Sequence, residues 1–502
     1  MLLTNALVYD GTGAPPYPAD VLVEGDHIAA IAAIGQLQTS HAGPTLDLNG
    51  TVLAPGFIDL HSHSDLQVLE NRLEKTRQGI TTEVVGNCGF SPYPCGHHAA
   101  QLAAQNEGIL HGATCFPGAA AYLAQARKLS HLVHTESLIG HGALRTAVLG
   151  EDANTTASPR LAALEAELDR ALSEGAIGFS TGLMYAPGSQ APFAELEALC
   201  RIVARHGKLY TTHMRSYSWE LLESIDEQLE LARRTGCRLQ ISHLQAVGRD
   251  NWPKQHEALD RIERARDEGI DVAFDCYPYL AGSTVLTQLL PQDTLSGGLG
   301  GLMTLLASTT ERARLEAHLR DETAQAWSDV FLSSLQTEAN RALIGRDLAS
   351  IAAQRETSPE RVVLDLLREE EGRINIVAFN QSDENLRALL THPLSSLITD
   401  GFYVSERPHP RLAGAFPTFL GEYARNRGWL RLEHAIHKIT AQPADRLGLT
   451  DRGRIAVGAI ADLVAFDPIN IGSPATYEHP TLPPTGLSHV IKAGTILSPS
   501  SS

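Results

Sequence analysis

Short apolar runs alternate with longer stretches of helical periodicity through most of the chain. Runs such as "TTEVVGNCG", "AIGFSTG", "KLYTTHM" and "RLQISHL" are brief, rich in β-branched residues and bounded by Gly or polar positions, which predicts buried strands. Stretches such as "SPRLAALEAELDRALSEG" and "WELLESIDEQLELARRTG" repeat Leu, Ile and Ala every three or four residues, which predicts amphipathic helices. Strand and helix in alternation predict a parallel sheet with crossover helices, an α/β fold. Adding "FIDLHSH", "HLVHTESLIGHG", "DVAFDCYPY", "INIVAFNQ" and "SLITDG" gives nine strand-like runs for the eight places of a TIM-like (β/α)₈ barrel. One must lie elsewhere, and "INIVAFNQ" is the candidate.

The two ends of the chain read differently. "NALVYDG", "ADVLVEGDHIAAIA" and "TLDLNGTVLAPG" near the N-terminus, and "GRIAVGAIADLVAFDP" and "LSHVIKAGTIL" near the C-terminus, are strands joined by turns. They predict a small β-sandwich domain built from both termini, residues 1–54 and 445–502, flanking a barrel over 55–444. Between about 284 and 372 the barrel pattern gives way to a Gly-bearing run, "SGGLGGLMTLL", and mostly helical sequence. That is too long for an ordinary loop and predicts an inserted lid subdomain. The terminal "SPSSS" reads as a disordered tail.

Composition narrows the possibilities. A chain of 502 residues, 43% hydrophobic, can bury a large core. Its formal charge of -18 argues against nucleic acid and anionic membrane surfaces as partners, since those need clustered Lys and Arg. The N-terminus lacks a basic segment followed by an apolar one, and no run approaches the roughly 20 apolar residues of a spanning helix, so a cytoplasmic location is expected. Six scattered cysteines do not form a disulfide framework.

The chemistry gathers at the predicted strand ends. His61 and His63 close the first strand, Cys88 the second, His141 the third, His213 the fifth, His243 the sixth and Asp400 the last. In a (β/α)₈ barrel the C-terminal strand ends form one rim, so residues far apart in sequence meet there. Imidazole, thiolate and carboxylate are the ligands Zn²⁺ prefers. A single histidine in such a place is more often structural. The conjunction of His-x-His, two further histidines and an aspartate points to a metal.

With "APGFIDLHSHSD", "TTEVVGNCGFSP", "GHGALR", "GFSTGLMYAPG", "THMRS", "ISHLQ", "NWPK", "DCYPYLAGST", "ITDG", "HPR" and the tail "KITAQPADRLGL" in this order, the chain resembles the amidohydrolase superfamily, and within it the N-acyl-D-amino-acid deacylases, or D-aminoacylases. The resemblance implies zinc-dependent hydrolysis of the amide of N-acyl-D-amino acids to a carboxylate and a free D-amino acid. It implies one tight zinc held by Cys88, His213 and His243, and a second, weaker metal position at His61, His63 and Asp400. The fourth-strand run "AIGFSTG" has no Lys to serve as the carboxylated bridge of the hydantoinase and dihydroorotase branches; Cys88 would take that bridging place.

By the same resemblance, Asp400 is the general acid/base that moves the proton from water to the departing amine. His141 is a candidate to polarise the carbonyl or steady the oxyanion. Tyr185, Arg215, Tyr277 and Ser283 are the candidates to bind substrate, with Arg215 suited to a planar carboxylate. Asp65 and Asn87 are candidates to orient metal-bound imidazoles; His97 and His98 read as solvent-facing. The chain departs from the family at Gln245, where many members carry a lysine for the substrate carboxylate. Arg215, or Lys254 in "NWPK", would then have to supply the charge. The partner is thus a small N-acyl amino acid. The competing readings are a dipeptidase or cyclic amidase using the same rim, or an inactive relative kept as a scaffold.

Overall fold

The computed structural model describes residues 1–37, 43–156 and 160–497. The terminal "SPSSS" lies outside the described residues.

Eight parallel strands make the central sheet: Phe57–Asp59, Ile80–Val85, His134–Gly140, Gly178–Gly182, Leu209–His213, Arg238–Ile241, Val272–Cys276 and Ser395–Leu397, each hydrogen-bonded to the next in that order. Six of the eight are buried at every position, as expected of strands covered on both faces. Helices between them supply the outer layer. Leu221–Thr235, for example, turns Leu221, Ile225, Leu229 and Ala232 inward at helical spacing and stops where Gly236 takes φ 71°.

The last strand meets the first through very little regular ladder. A bridge between Ser62 and Gly401 is backed by two backbone bonds, His63 N–H to Gly401 O at 3.0 Å and Asp400 N–H to His61 O at 2.9 Å. Beneath this seam lies a buried polar cluster. Lys75 Nζ donates to Asp59 Oδ2 at 2.7 Å and to Thr399 Oγ1 at 2.5 Å, and Glu83 Oε2 is 3.7 Å away. Thr399 N–H donates to Asp59 Oδ1 at 3.0 Å, so Asp59 on the first strand grips the segment leaving the eighth. The barrel is closed there by charge and hydrogen bonds.

The run Asn375–Phe379 lies outside the barrel, as expected for "INIVAFNQ". It is the middle strand of a three-stranded antiparallel sheet with Ala281–Val285 and Val330–Ser334. The inserted body between the seventh and eighth barrel strands has its own apolar core, including Leu302, Leu315, Leu332, Ile351, Leu366 and Ile376. Its first and last strands in sequence, Ala281–Val285 and Asn375–Phe379, reach beyond 284 and 372 on either side. Those flanks were hard to separate from barrel sequence, because a buried antiparallel strand and a buried parallel one share the same apolar run. Helices Pro359–Glu369 and Asp383–Thr391 start on Ser358 and Ser382, whose side chains accept from the third residue's N–H.

Strands from both chain ends share one eight-stranded sheet, in which Val52–Pro55 pairs antiparallel with Leu463–Phe466.

The seam predicts a stability effect. Lys75→Met leaves Asp59 and Glu83 buried without their cation, and should cost about 3–5 kcal/mol in urea unfolding with an unchanged m-value. A loss under 1 kcal/mol would show that the cluster does not hold the seam.

Candidate active site

The C-terminal ends of the strands bring six predicted side chains to one place. Cys88 Sγ lies 3.3 Å from His61 Nε2 and 3.4 Å from His243 Nε2, and His213 Nδ1 lies 3.0 Å from His243 Nε2. Asp400 Oδ1 is 3.3 Å from both His61 Nε2 and His63 Nε2. The ligand-type atoms fall into three overlapping groups, Cys88–His213–His243, His61–His63–Cys88 and His61–His243–Asp400, each within 4.8 Å. Cys88, His61 and His243 each belong to two of them.

These residues fit a metal ion on chemical grounds. Burial lowers the pKa of His213 well below its usual value, with His243 acting in the same sense, and burial takes His243 down to about 4. Both imidazoles are therefore neutral and offer lone pairs. Burial pushes the Cys88 thiol up, so a cation is what would hold it as thiolate. A buried set of nitrogen and sulfur donors separated by 3.0–3.4 Å suits a tetrahedral Zn²⁺.

Backbone strain marks the same residues. Cys88, His243 and Asp400 have φ of 52°, 33° and 48°, in the left-handed region that residues with a Cβ rarely enter. Each costs on the order of 1–3 kcal/mol, and such strain persists only where the surroundings impose it. Around Cys88 the packing is explicit. A Cβ on Gly182 would sit 2.0 Å from Cys88 O, and one on Gly86 2.1 Å from Leu138 O. Glycine at both places lets the second, third and fourth strands close around the cysteine loop.

Asp400 is ionised. Burial works to raise its pKa, but Arg411 first and then His61 outweigh it and hold the carboxyl well below the usual range. Arg411 NH1 is 2.9 Å from Asp400 Oδ2. This arginine escaped the sequence reading, although "HPR" was among the family segments. It is 1% exposed, lies over the Tyr277 ring at 4.7 Å, and its Nε and NH1 have no aligned hydrogen-bond partner. Asp275 was also missed. It accepts from His243 N–H at 2.6 Å and lies 3.5 Å from His61 Nδ1, so it supports two of the six clustered residues. A lone acid inside an apolar strand run, "VAFDC", was the available signal.

A cavity of about 340 Å³ opens beside the cluster. Tyr185, Tyr277 and Ser283 line it, as do Gln245, Asn380 and Arg411. Burial raises the hydroxyl pKa of Tyr185, and that of Tyr277 to about 12, so both are neutral donors. Tyr277 donates to Gln245 Oε1 at 3.0 Å.

Two candidates are corrected. Arg215 is turned away from the cavity. Its Nε is 2.9 Å from Glu227 Oε1, and its NH1 and NH2 donate to Ser189 O and Ala191 O, so a structural carboxylate and two carbonyls use its donors. His141 is wholly buried outside the cavity lining, its Nε2 2.8 Å from Glu195 Oε1, which Arg145 also engages. Both side chains leave strand ends in the right place, but glutamates on neighbouring helices, Glu195 buried and Glu227 partly exposed, capture them. Lys254 does not substitute for Arg215: it is not part of the cavity lining, and its Nζ donates to the backbone of Trp219, at 2.7 Å. Asp65 and Asn87 are buried and touch none of the ring nitrogens; Asn87 donates to Val84 O. His97 is exposed and His98 half-buried.

The sequence matches the amidohydrolase family model over residues 45–498. It is 36% identical to an N-acyl-D-glutamate deacylase and 35% identical to a D-aminoacylase, both of Alcaligenes xylosoxydans xylosoxydans. The alignments span 99% and 98% of this chain and 93% of each relative. The fold superposes with a TM-score of 0.86 on an N-acyl-D-glutamate deacylase of Bordetella bronchiseptica complexed with zinc and a phosphonate mimic of the tetrahedral intermediate, at 33% identity over 99% of this chain and 96% of that one.

The ligand geometry makes a direct prediction. Purified Cys88→Ala and His213→Ala should each lose at least half of the bound zinc measured by elemental analysis, while Arg215→Ala should retain it. Full zinc in Cys88→Ala would remove the thiolate from the ligand set.

Proposed function

Because this chain belongs to the amidohydrolase family, in its N-acyl-D-amino-acid deacylase branch, we propose that it hydrolyses the amide bond of N-acyl-D-amino acids whose side chains carry no negative charge. The observation that carries this reading is the buried guanidinium of Arg411, with donors lacking aligned partners, facing the same cavity as the ligand cluster. Strictness for the D-form comes from the relatives.

Cys88, His213 and His243 would hold the zinc, with His61 and His63 beside Asp400 offering a second position. Bound there, zinc supplies Lewis-acid polarisation of the acyl carbonyl and a lower pKa for the attacking water. The chain's own residues do the rest. Arg411 receives the substrate α-carboxylate through the donors left over after NH1 faces Asp400 and NH2 donates to Ser283 O at 3.2 Å, Nε above all. The amide of Gln245, whose Oε1 accepts from the neutral Tyr277 at 3.0 Å, leaves its Nε2 as a donor without charge where many relatives carry a lysine. Arg411 also keeps Asp400 ionised through Oδ2, leaving Oδ1, which faces His61 and His63, to take the proton from water. Asp400 then returns that proton to the amide nitrogen as the C–N bond breaks, giving a carboxylate and a free amine.

Charge counting narrows the substrate. Among the described residues Arg411 is the single Lys or Arg lining this cavity, whereas Glu220 and Glu322 stand exposed at its mouth. Arg411 already pairs with Asp400 as well as facing the α-carboxylate position, so the cavity lining holds no further Lys or Arg for a second substrate carboxylate. A second carboxylate in the substrate side chain would be desolvated beside acids with no cation to meet it.

A panel of N-acetyl amino acids in D and L forms tests this. The zinc-loaded protein should turn over N-acetyl-D-methionine at least about tenfold faster than N-acetyl-D-glutamate, given a penalty above 1.4 kcal/mol for the unpaired carboxylate. Equal or faster glutamate turnover would overturn the side-chain assignment. Turnover of hydantoins, dihydroorotate or dipeptides alone would overturn the reaction. Asp400→Asn should lower kcat by about 10²–10⁴, and Arg411→Met should raise KM and also lower kcat, because it removes both the carboxylate partner and the charge that keeps Asp400 ionised; an unchanged kcat in the first would take Asp400 out of proton transfer.

A further inference from the structure

A second cavity, about 480 Å³, lies beside the catalytic one and shares its wall. Ile109, Met184, Tyr185, Gln288 and Leu290 border both. On the catalytic side this wall rests on the ligand cluster. Cys88, Phe90, Ile109 and Leu110 pack together with Tyr185 and Val285 against them, and the Tyr185 ring lies 4.7 Å from that of His213.

The partition is weakly held at its centre. Gln288 Nε2 is 3.4 Å from His213 Nε2, 3.3 Å from Tyr185 Oη and 3.6 Å from Met184 Sδ. The contacts to His213 and Tyr185 are longer than an ordinary hydrogen bond and the thioether is a weak acceptor, so little is lost if the amide swings aside. Met184 beside it is unbranched and repacks readily. Behind the partition the wall includes Val285, Leu295, Leu299 and Ile374. The charged side chains there, Glu107 and Arg373, sit 3.6 Å apart, half-exposed, and cancel one another.

We propose that this second cavity is a subsite for the hydrocarbon chain of a medium-length N-acyl group, reached by displacing Gln288 and Met184. The inference rests on the reading of the main site as an N-acyl amide hydrolase. In such a substrate the acyl chain is bonded to the carbonyl carbon, which must lie at the Cys88–His213–His243 cluster, and the partition packs on Cys88 and His213. The α-carboxylate is anchored elsewhere, because none of Arg411, Tyr277 and Asp400 borders the second cavity. A largely apolar chamber whose two charged side chains face one another suits an alkyl chain on the acyl side of the reacting carbon.

The test compares N-acetyl-, N-butyryl- and N-octanoyl-D-methionine with the zinc-loaded enzyme. A fully buried methylene is worth about fourfold in kcat/KM, so octanoyl should exceed acetyl by at least tenfold. Leu299→Trp, which fills the second cavity, should abolish that gain and leave acetyl turnover unchanged; Leu295→Trp provides an independent filling. Gln288→Ala should widen the octanoyl preference. Calorimetry should show octanoate binding to the wild type and not to Leu299→Trp, with acetate indifferent to the change. A flat or falling acyl series would overturn the subsite. So would a gain that follows a lengthened amino-acid side chain on an acetyl substrate. If no N-acyl amino acid were turned over, the main reading would fail, and octanoate binding would still decide whether the cavity takes an alkyl chain.

Discussion

The structure depends on the seam where the eighth barrel strand returns to the first. Seven strand pairs are joined by ordinary parallel ladders; the eighth is closed by His63 N–H to Gly401 O and Asp400 N–H to His61 O, with Lys75, Asp59 and Thr399 packed beneath. The residues that close the barrel are thus the residues of the site or their immediate neighbours. Asp400 cannot keep its place between His61, His63 and Arg411 unless the seam is shut. A buried charge cluster is weak evidence of stability, since a well-packed apolar replacement can serve as well. Here it does something apolar packing cannot: Asp59 bonds a particular backbone N–H across the seam, fixing the register that sets Asp400 opposite two imidazoles.

From that frame the site acquires its strain and its electrostatics. Cys88, His243 and Asp400 occupy left-handed backbone conformations because each must turn sharply out of a strand to aim inward. The resulting cluster gathers four imidazoles, a thiol and a carboxylate in a volume that excludes most water. Burial strips the proton from His213 and His243 and leaves the Cys88 thiol reluctant to ionise, while Arg411 keeps Asp400 charged. Neutral imidazoles with free lone pairs beside an ionised carboxylate leave a place that a cation would fill.

Much of this was legible in the sequence, and the limits have physical causes. Strand-end histidines and the cysteine could be found because barrel topology carries every C-terminal strand end to one rim, whatever the loops do. The same logic placed Asp400 and set "INIVAFNQ" apart. What it could not decide was the direction of a side chain once it left the rim. Arg215 and His141 stand where catalytic groups could stand, yet Glu227 and Glu195, contributed by helices Leu221–Thr235 and Phe193–Arg205, draw them away. Those pairings join residues 12 and 54 positions apart, with no spacing rule to announce them. Arg411 was hidden for the opposite reason: it lies in a segment quoted for its resemblance, but only the fold shows that a buried arginine there stacks on Tyr277 and reaches Asp400.

The central claim is that a cysteine thiolate and two imidazoles from the second, fifth and sixth strands hold one zinc ion. X-ray absorption at the zinc edge of the protein loaded with one equivalent of metal tests it most directly. The account predicts a mixed first shell with one sulfur at about 2.3 Å and nitrogen or oxygen neighbours at about 2.0–2.1 Å, the sulfur contribution vanishing in Cys88→Ser. A first shell of nitrogen and oxygen alone in the wild-type protein would contradict it.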